Sequence, residues 1–473
     1  MPGLSAATEV RSCAVFGLRC FRKLPWLCVG RTEGCLNFAS LCPVDVYAAR
    51  YRRSRVARNA SWMFLGQGLR LIIQAAYFVI IARSLGTTEY GAFMAVVAVA
   101  GVLRSLAGLG SDKLLIKNVA RNRELLDVYF GNGAAMTVGT GLAAVAILMG
   151  IARAVLPPSI PSIVVLMIAV SDIVCCRLID LCASAFQSVE QLSRTAQITV
   201  LISAARLVGI AAAVAVWRRP TAELWSFAYF AATAIAAVVS LLYITALLRS
   251  FKLSPDRIRG ELVEGFYFSV GLSAQTIYND LDKTMLARFS TLDATGIYSA
   301  AYRIIDVAFT PVGSLLYAAY PGFFRQGSRI EGTYEYAKRL MPQSLGFSVA
   351  IFVAIILGAP VAPKILGRDY ARIVEALRWL ALLPVLKSMH YFLADALTGA
   401  GHQGLRTGIQ VVVAGFNVLI NIWLIPAYSW RGAAWSSLAS DALLGALMWI
   451  AILTLGQRQA SDSQTELSVC PEI

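Results

Sequence analysis

The sequence predicts an all-α polytopic membrane protein, with about twelve transmembrane helices in two six-helix lobes related by a parallel pseudo-two-fold repeat. Three observations carry that expectation. The first is composition: of 473 residues, 58% are apolar and 15% charged, with a mean hydropathy of +0.66. Soluble domains hold about 45–50% and about 25% respectively, so a water-soluble globular protein is excluded. The second is the form of the apolar runs. They are continuous over roughly 20 residues, the length of a bilayer-crossing helix, and lack the alternation of a transmembrane barrel. The third is an internal repeat at a spacing of 205 residues.

The elements follow in order. Residues 1–61 carry ten basic against three acidic side chains and lack the apolar core of a signal peptide. They read as a structureless cytoplasmic extension, or as a start placed upstream of the Arg52–Arg58 cluster. The first lobe is expected over 62–248, with spans at 62–82, 91–110, 129–151, 160–178, 196–216 and 223–248. A cytoplasmic linker at 249–264 joins it to the second lobe, 265–455. The spans there are 265–287, 294–320, 341–361, 373–396, 405–425 and 432–455, followed by a tail at 456–473. Pro311 and Pro384 fall inside spans, which buried membrane helices tolerate.

The basic residues between spans are distributed unevenly. Sixteen lie on the side that the termini share, not counting the first 61 residues, and nine on the other. The positive-inside rule then places both termini in the cytoplasm. The net charge of +15 has no RNA module or zinc finger around it, so nucleic acid is not expected as a partner. Nine cysteines form no CxxC pair, and neither a metal nor any other cofactor is expected.

The repeat is gapless over two spans. Gly66, Ile72, Ala82, Arg83, Gly91, Ala95, Val102 and Gly108 overlie Gly271, Ile277, Ala287, Arg288, Gly296, Ala300, Val307 and Gly313. The Arg-to-Gly spacing across the same helix-to-helix turn is the most specific part. Six spans separate the copies, so both halves insert the same way round. Such parallel repeats are a transporter architecture, with substrate between the halves.

Three ordered blocks then become familiar. They are Trp62 with Ala82-Arg83-Ser84-Leu85-Gly86 and Glu89-Tyr90-Gly91-Ala92-Phe93; Asp280-Leu281-Asp282-Lys283 with Thr295-Gly296-Ile297-Tyr298-Ser299-Ala300-Ala301-Tyr302-Arg303; and Asn417 to Asn421 with Leu424-Ile425-Pro426 and Gly432-Ala433-Ala434. Over residues 55–455 the chain resembles the polysaccharide-biosynthesis (O-antigen-type) flippases of the multidrug/oligosaccharidyl-lipid/polysaccharide exporter superfamily. The resemblance implies transfer of a polyprenyl-diphosphate-linked oligosaccharide across a bacterial inner membrane, for surface polysaccharide or exopolysaccharide. The partners it implies are that lipid-linked sugar, the bilayer, and polysaccharide polymerase and chain-length machinery. The departures are the Cys-containing amino terminus and Tyr428-Ser429-Trp430, where the family more often has Tyr-Gly.

The residues themselves ask for a wet, cationic cavity, because a diphosphate and its sugars cannot cross hydrocarbon unaided. Ionisable residues within spans default to such roles. The substrate-binding candidates are Arg70, Arg303, Lys283 and Lys387 for the diphosphate, with Asn417 and Asn421 for sugar. Arginine suits phosphate through its planar fork. Each has a plain packing alternative: Arg303 with Asp306 and Lys283 with Asp280, each one turn away, Lys387 with a neighbour, and the asparagines with an adjacent helix. Arg104, Arg206 and Arg378 read as weaker, interface-snorkelling cations. The ion-coupling candidates are Asp280, Asp282, Asp172 and Asp395, the last with His390 nearby, for a proton or sodium.

Walker, HExxH and GxSxG motifs do not occur, so a transporter is expected rather than an enzyme. A multidrug-type cation antiporter of the same superfamily is the alternative, and a membrane-embedded polysaccharide polymerase or ligase the next.

Overall fold

The computed structural model describes residues 43–217, 221–245, 252–254, 265–266, 269–326 and 329–469. Cys13, Cys20, Cys28, Cys35, Cys42 and Cys470 lie outside the described residues, as do Arg218, Arg219, Arg249, Arg257, Arg259 and most of the expected linker. Among the described residues there is no strand.

The first half begins with α1 (Pro43–Leu106). Residues 43–61 are helical as the start of α1. Gly86 bends α1 through φ 71° and ψ −178°, a backbone conformation open mainly to glycine. The first two expected spans are thus two limbs of one element. An amphipathic helix, α2 (Ser111–Arg121), follows; it buries Leu114, Leu115 and Val119 and leaves Lys113 and Lys117 exposed. Then come α3 (Leu126–Val155), α4 (Ser162–Ala169), a π-helical turn at Val170–Cys175, α5 (Cys176–Ser188), α6 (Leu192–Trp217) and α7 (Ala222–Thr245).

The second half opens with helical residues 269–276, a π-helical turn at Ile277–Leu281 and α8 (Asp282–Phe289). It continues through α9 (Leu292–Ala308), α10 (Thr310–Arg325), α11 (Ile330–Gly358) and the short α12 (Ala362–Leu366). It ends with α13 (Ile373–Leu380), α14 (Leu383–Gly399), α15 (Gln403–Tyr428) and α16 (Trp430–Val469).

Nine described helices are long and apolar enough to cross a membrane, or ten with α9 and α10 taken as one bent span. The difference from twelve has physical sources. Both limbs of α1 are counted once, and the expected span 265–287 includes residues outside those described. The 49° bend between α9 and α10 falls where Pro311 cannot donate to the preceding turn.

Packing divides the molecule along its length. One apolar core joins both halves at the end that holds Gly86 and Ser290, here called the turn end; it runs through Ile81, Tyr90, Leu148, Trp225, Ile297, Tyr370 and Ala433. Toward the opposite end, where Ser254 of the linker lies, the core splits. One part, around Phe130, Phe186 and Ile198, belongs wholly to the first half. The other, around Phe323, Phe392 and Met448, belongs wholly to the second. The halves share one apolar core at the turn end and have separate cores at the other, and the part-exposed Arg104, Asp180, Asp280 and Asp306 mark the space between those cores, here called the cleft.

The repeat reappears in the shared core. A Cβ on Gly91 would overlap the carbonyl of Leu292, and one on Gly296 would overlap the carbonyl of Thr87. Gly91 and Gly296 are 205 residues apart, and so are Thr87 and Leu292. These two backbone contacts are therefore images of each other, and glycine permits both.

Candidate functional site

Four arginines from three helices converge on the cleft. Arg70 stands on the first limb of α1, Arg104 on its second limb, Arg206 on α6 and Arg303 on α9. The charges that act on Arg70 are those of Asp180, Arg303, Arg104 and Arg206, so three of the four are of its own sign. Arg104 donates to Asp180 at 2.6 Å, with both side chains partly open to the cleft. Arg206 donates to Asp172 at 2.8 Å and to the Cys176 sulfur at 3.0 Å, and its guanidinium stacks 4.1 Å from the Tyr229 ring centre. The Tyr229 hydroxyl also donates to Asp172, at 2.7 Å. Arg70 and Arg303 differ from these two. Arg70 Nε is buried with no hydrogen-bond partner, and Arg303 donates across the cleft to the amide oxygen of Gln74 at 3.2 Å.

The packing alternative for Arg303, a pair with Asp306, is not formed. Asp306 faces the Lys387 ammonium instead, at 4.0 Å, while Arg303 turns toward the first half. Lys387, which has no acid within a turn of its own helix, finds one on α9 and also donates to the Tyr302 hydroxyl at 3.1 Å. Lys283 pairs with Asp280, as one of its two readings had it, and lies 4.2 Å from the Tyr302 ring centre. Both ammonium groups are buried, whereas Asp280 and Asp306 are 42% and 44% exposed. The second half thus presents carboxylates to the cleft, each with a lysine behind it.

The remaining candidates sit elsewhere. Asn417 and Asn421 are fully buried and form a ladder: Asn421 donates to Asn417 at 3.0 Å, Asn417 to Ser440 at 2.9 Å, and Ser436 to Asn421 at 2.5 Å. That is the helix-pairing geometry, between α15 and α16. Asp395 accepts from Arg406 at 3.2 Å. His390 does not pair with Asp395 but with Asp441, at 3.0 Å. Asp282 is fully buried and accepts from Tyr298 and Ser437, so it faces away from Asp280, as their spacing on a helix dictates.

Sequence reasoning did not name Asp180 and Gln74, which accept from Arg104 and Arg303. It also missed that Asp172 and Asp280 each sit in a π-helical turn. Such turns concentrate at functional positions, but no residue pattern announces them.

Two seams border the cleft. Along the first, the second limb of α1 is sewn to residues 273–284: Thr284 donates to the Ala95 carbonyl at 2.7 Å, Ser273 to the Val102 carbonyl at 3.2 Å, and the Ser105 and Thr276 hydroxyls bond to each other at 3.2 Å. The second, between the first limb of α1 and α9, holds the Arg303–Gln74 bond. Beside it lies an apolar cavity of about 530 Å³, lined by Phe78, Val79, Ile304, Val307, Ile351 and Ile355 among others. At the turn end Thr87 donates to Asp293, and the Tyr370 hydroxyl to the Ala82 carbonyl at 3.3 Å. One family departure finds its place here too. Ser429 closes α15 with φ 54°, the left-handed region that favours glycine, and its hydroxyl meets that of Ser290 at 2.6 Å.

The fold is that of known transporters. It is similar to a lipid II flippase, MurJ, in an inward closed conformation, at a TM-score of 0.67 and 11% identity over 88% of this chain and 94% of that one. It is also similar to an inward-facing multidrug resistance MATE family transporter of the MOP superfamily, at 0.63 and 13% over 84% and 99%, and to a MOP superfamily transporter from Pyrococcus furiosus, at 0.59 and 12% over 85% and 96%. An uncharacterised membrane protein of Methanocaldococcus jannaschii is 26% identical over 188 residues, 37% of this chain and 36% of that protein, so the match spans about a third of that relative's length. The model of the polysaccharide biosynthesis protein family matches residues 56–326. With more than half of its length so matched, the chain belongs to the polysaccharide biosynthesis protein family.

Proposed function

We propose that this protein is a flippase carrying a polyprenyl-diphosphate-linked oligosaccharide from the cytoplasmic to the outer leaflet of a bacterial inner membrane, by alternating access between two lobes. One observation carries the reading: the charge left over in the cleft is positive. The acids that face it are already matched, Asp180 with Arg104, Asp280 with Lys283 and Asp306 with Lys387. Arg70 and Arg303 have only a neutral amide between them. Two unmatched guanidinium groups on opposite lobes form a fork for a dianion rather than a seat for a drug cation.

The neighbouring seam suits the rest of such a substrate. The apolar cavity is lined by Ile304 and Val307, within about a turn of Arg303, and by Phe78 and Val79, within about a turn of Gln74. A polyprenyl chain can lie there while its diphosphate meets the arginines. Both termini lie in the cytoplasm in this reading, so the structure is closed outside and parted inside. Residues 249–264 link lobes 62–248 and 265–455 in sequence, and Asn132 holds Ser254 of that linker by a two-way bond with its backbone, at 2.8 and 3.0 Å. The sugar composition and any polymerase or chain-length partner follow from the cell's own polysaccharide.

The test is Arg303→Ala. Membrane insertion and expression are expected to be unchanged while surface polysaccharide is lost; normal polysaccharide would remove Arg303 from the site.

A further inference from the structure

The two halves are tied differently along their two seams. The sewn seam is held by Thr284, Ser273 and the Ser105–Thr276 pair, in bonds that end on backbone carbonyls or on a second hydroxyl. Those side chains are uncharged, so an anion has little to offer them. At the second seam the tie among the described residues is one bond, from the Arg303 Nη2 to the Gln74 amide oxygen at 3.2 Å. Its flanks are apolar on both helices. Phe78 and Val79, within about a turn of Gln74, and Ile304 and Val307, within about a turn of Arg303, all line the cavity of about 530 Å³. With that space beside it, the bond has no close packing to support it.

The chemistry of the bond makes it replaceable. Its donor is charged, its acceptor is neutral, and both residues are half-buried. An anion adds charge attraction and can take two parallel N–H bonds from the guanidinium fork, where the amide oxygen takes one. Arg70 adds to the competition. It stands one turn before Gln74 on the same face of α1, about 6 Å along the axis. Its buried Nε has no hydrogen-bond partner among the described residues. The Gln74 side chain thus lies between the two guanidinium groups that an anion would bridge. It can swing aside about its own side-chain bonds, and its amide nitrogen can then donate to the same anion.

We infer that Gln74 is a latch that the substrate displaces. It holds Arg303 across the seam while the carrier is empty, and a diphosphate takes its place and frees the first limb of α1 from α9. Gln74 is then a positioning residue: it keeps the seam shut in the absence of an anion and sets how much of the binding energy goes into parting the helices. The identity of the displacing group rests on the diphosphate reading above; the tie across the seam does not. Two near-isosteric variants separate the latch from simple packing, because they move binding in opposite directions. Gln74→Leu leaves Arg303 without a competitor, and Gln74→Glu gives both arginines a resident anion.

The test uses the full-length chain in lipid nanodiscs, with inorganic pyrophosphate as the probe. Binding is measured by calorimetry. The width of the seam is measured by electron-spin distance between nitroxide-bearing noncanonical residues in place of Ile72 on α1 and Tyr317 on α10, both exposed. In the parent the distance is expected to lengthen when pyrophosphate is added. Gln74→Leu is expected to be lengthened without it and to bind roughly 3- to 10-fold more tightly. Gln74→Glu is expected to stay short at every pyrophosphate concentration and to bind more weakly by roughly 10-fold or more. Parent distance and parent affinity in Gln74→Leu overturn the latch, as does a Gln74→Glu protein that binds and lengthens like the parent. A lengthened Gln74→Leu with no pyrophosphate binding in any of the three proteins upholds the tie across the seam and removes the diphosphate reading instead.

Discussion

The two seams of the cleft are built from helix pairs that the 205-residue repeat makes equivalent, yet they pack in opposite ways. At the sewn seam Thr276 faces Gly101, and Thr284 donates to Ala95. The corresponding positions at the other seam are Leu71 with Asp306, and Val79 with Ala300. Hydroxyls that bond to a facing backbone, set against glycine and alanine, let two helices close without unsatisfied groups. Branched apolar chains and charged residues at the same positions hold them apart, and the space left over is an apolar cavity beside an arginine. Equivalent helix pairs thus give one seam closed by hydroxyls and one that borders an apolar cavity.

The comparison can be broken most severely where both seams meet, at the turn end. Gly296→Leu places a side chain against the Thr87 carbonyl and is expected to abolish folded, monodisperse protein in size-exclusion chromatography. Gly313→Leu, at a glycine with open space around it, leaves the elution profile unchanged. Next in size is the open seam itself. Hydrogen bonds to charged groups are worth about 1.5–3 kcal/mol, so Arg70→Ala and Arg303→Ala are each expected to weaken binding of a polyprenyl diphosphate by roughly 10- to 100-fold, read by calorimetry. Thr284→Val at the sewn seam, which removes the hydroxyl's bond to the Ala95 carbonyl, lowers thermal stability by about 1 kcal/mol without changing that affinity.

The smallest effect lies outside the membrane spans. Burial raises the Asp112 carboxyl, but Arg177 at 3.1 Å and Lys113 outweigh it and hold the group below its usual range. A carboxyl with a depressed folded value lends stability above its unfolded pKa of about 3.9, and that stability fades as pH falls through the folded value. Asp112→Asn is therefore expected to lower the melting temperature at pH 7 and to lower it progressively less as pH falls below about 3.9.

Much of this was legible in the residues, and what was not has identifiable causes. Arg70 and Arg303 stood out because charge deep in an apolar run has few innocent explanations. Arg104 and Arg206 looked like helix-end cations because their partners, Asp180 and Asp172, come from the other helix of a pair. Lys387 finds Asp306 81 residues away in the chain, and His390 finds Asp441 51 away, distances that no helical periodicity spans. For Arg303 the sequence offered Asp306 as a packing alternative, but Lys387 faces that acid. The asparagine pair spaced one turn apart was read correctly as sharing a face; only the facing helix decides between sugar and serine. The bend at Gly86 and the two π-helical turns are backbone outcomes of packing, which local sequence does not encode.

The central claim is that an unmatched arginine pair at the open seam handles a lipid diphosphate. The most direct measurement is transfer of a fluorescent polyprenyl-diphosphate sugar between leaflets of proteoliposomes, comparing the parent with Arg303→Ala and with Arg406→Ala, whose guanidinium is matched to Asp395. The account predicts transfer at the protein-free background for Arg303→Ala and near the parent rate for Arg406→Ala. Parent-rate transfer by Arg303→Ala would contradict it.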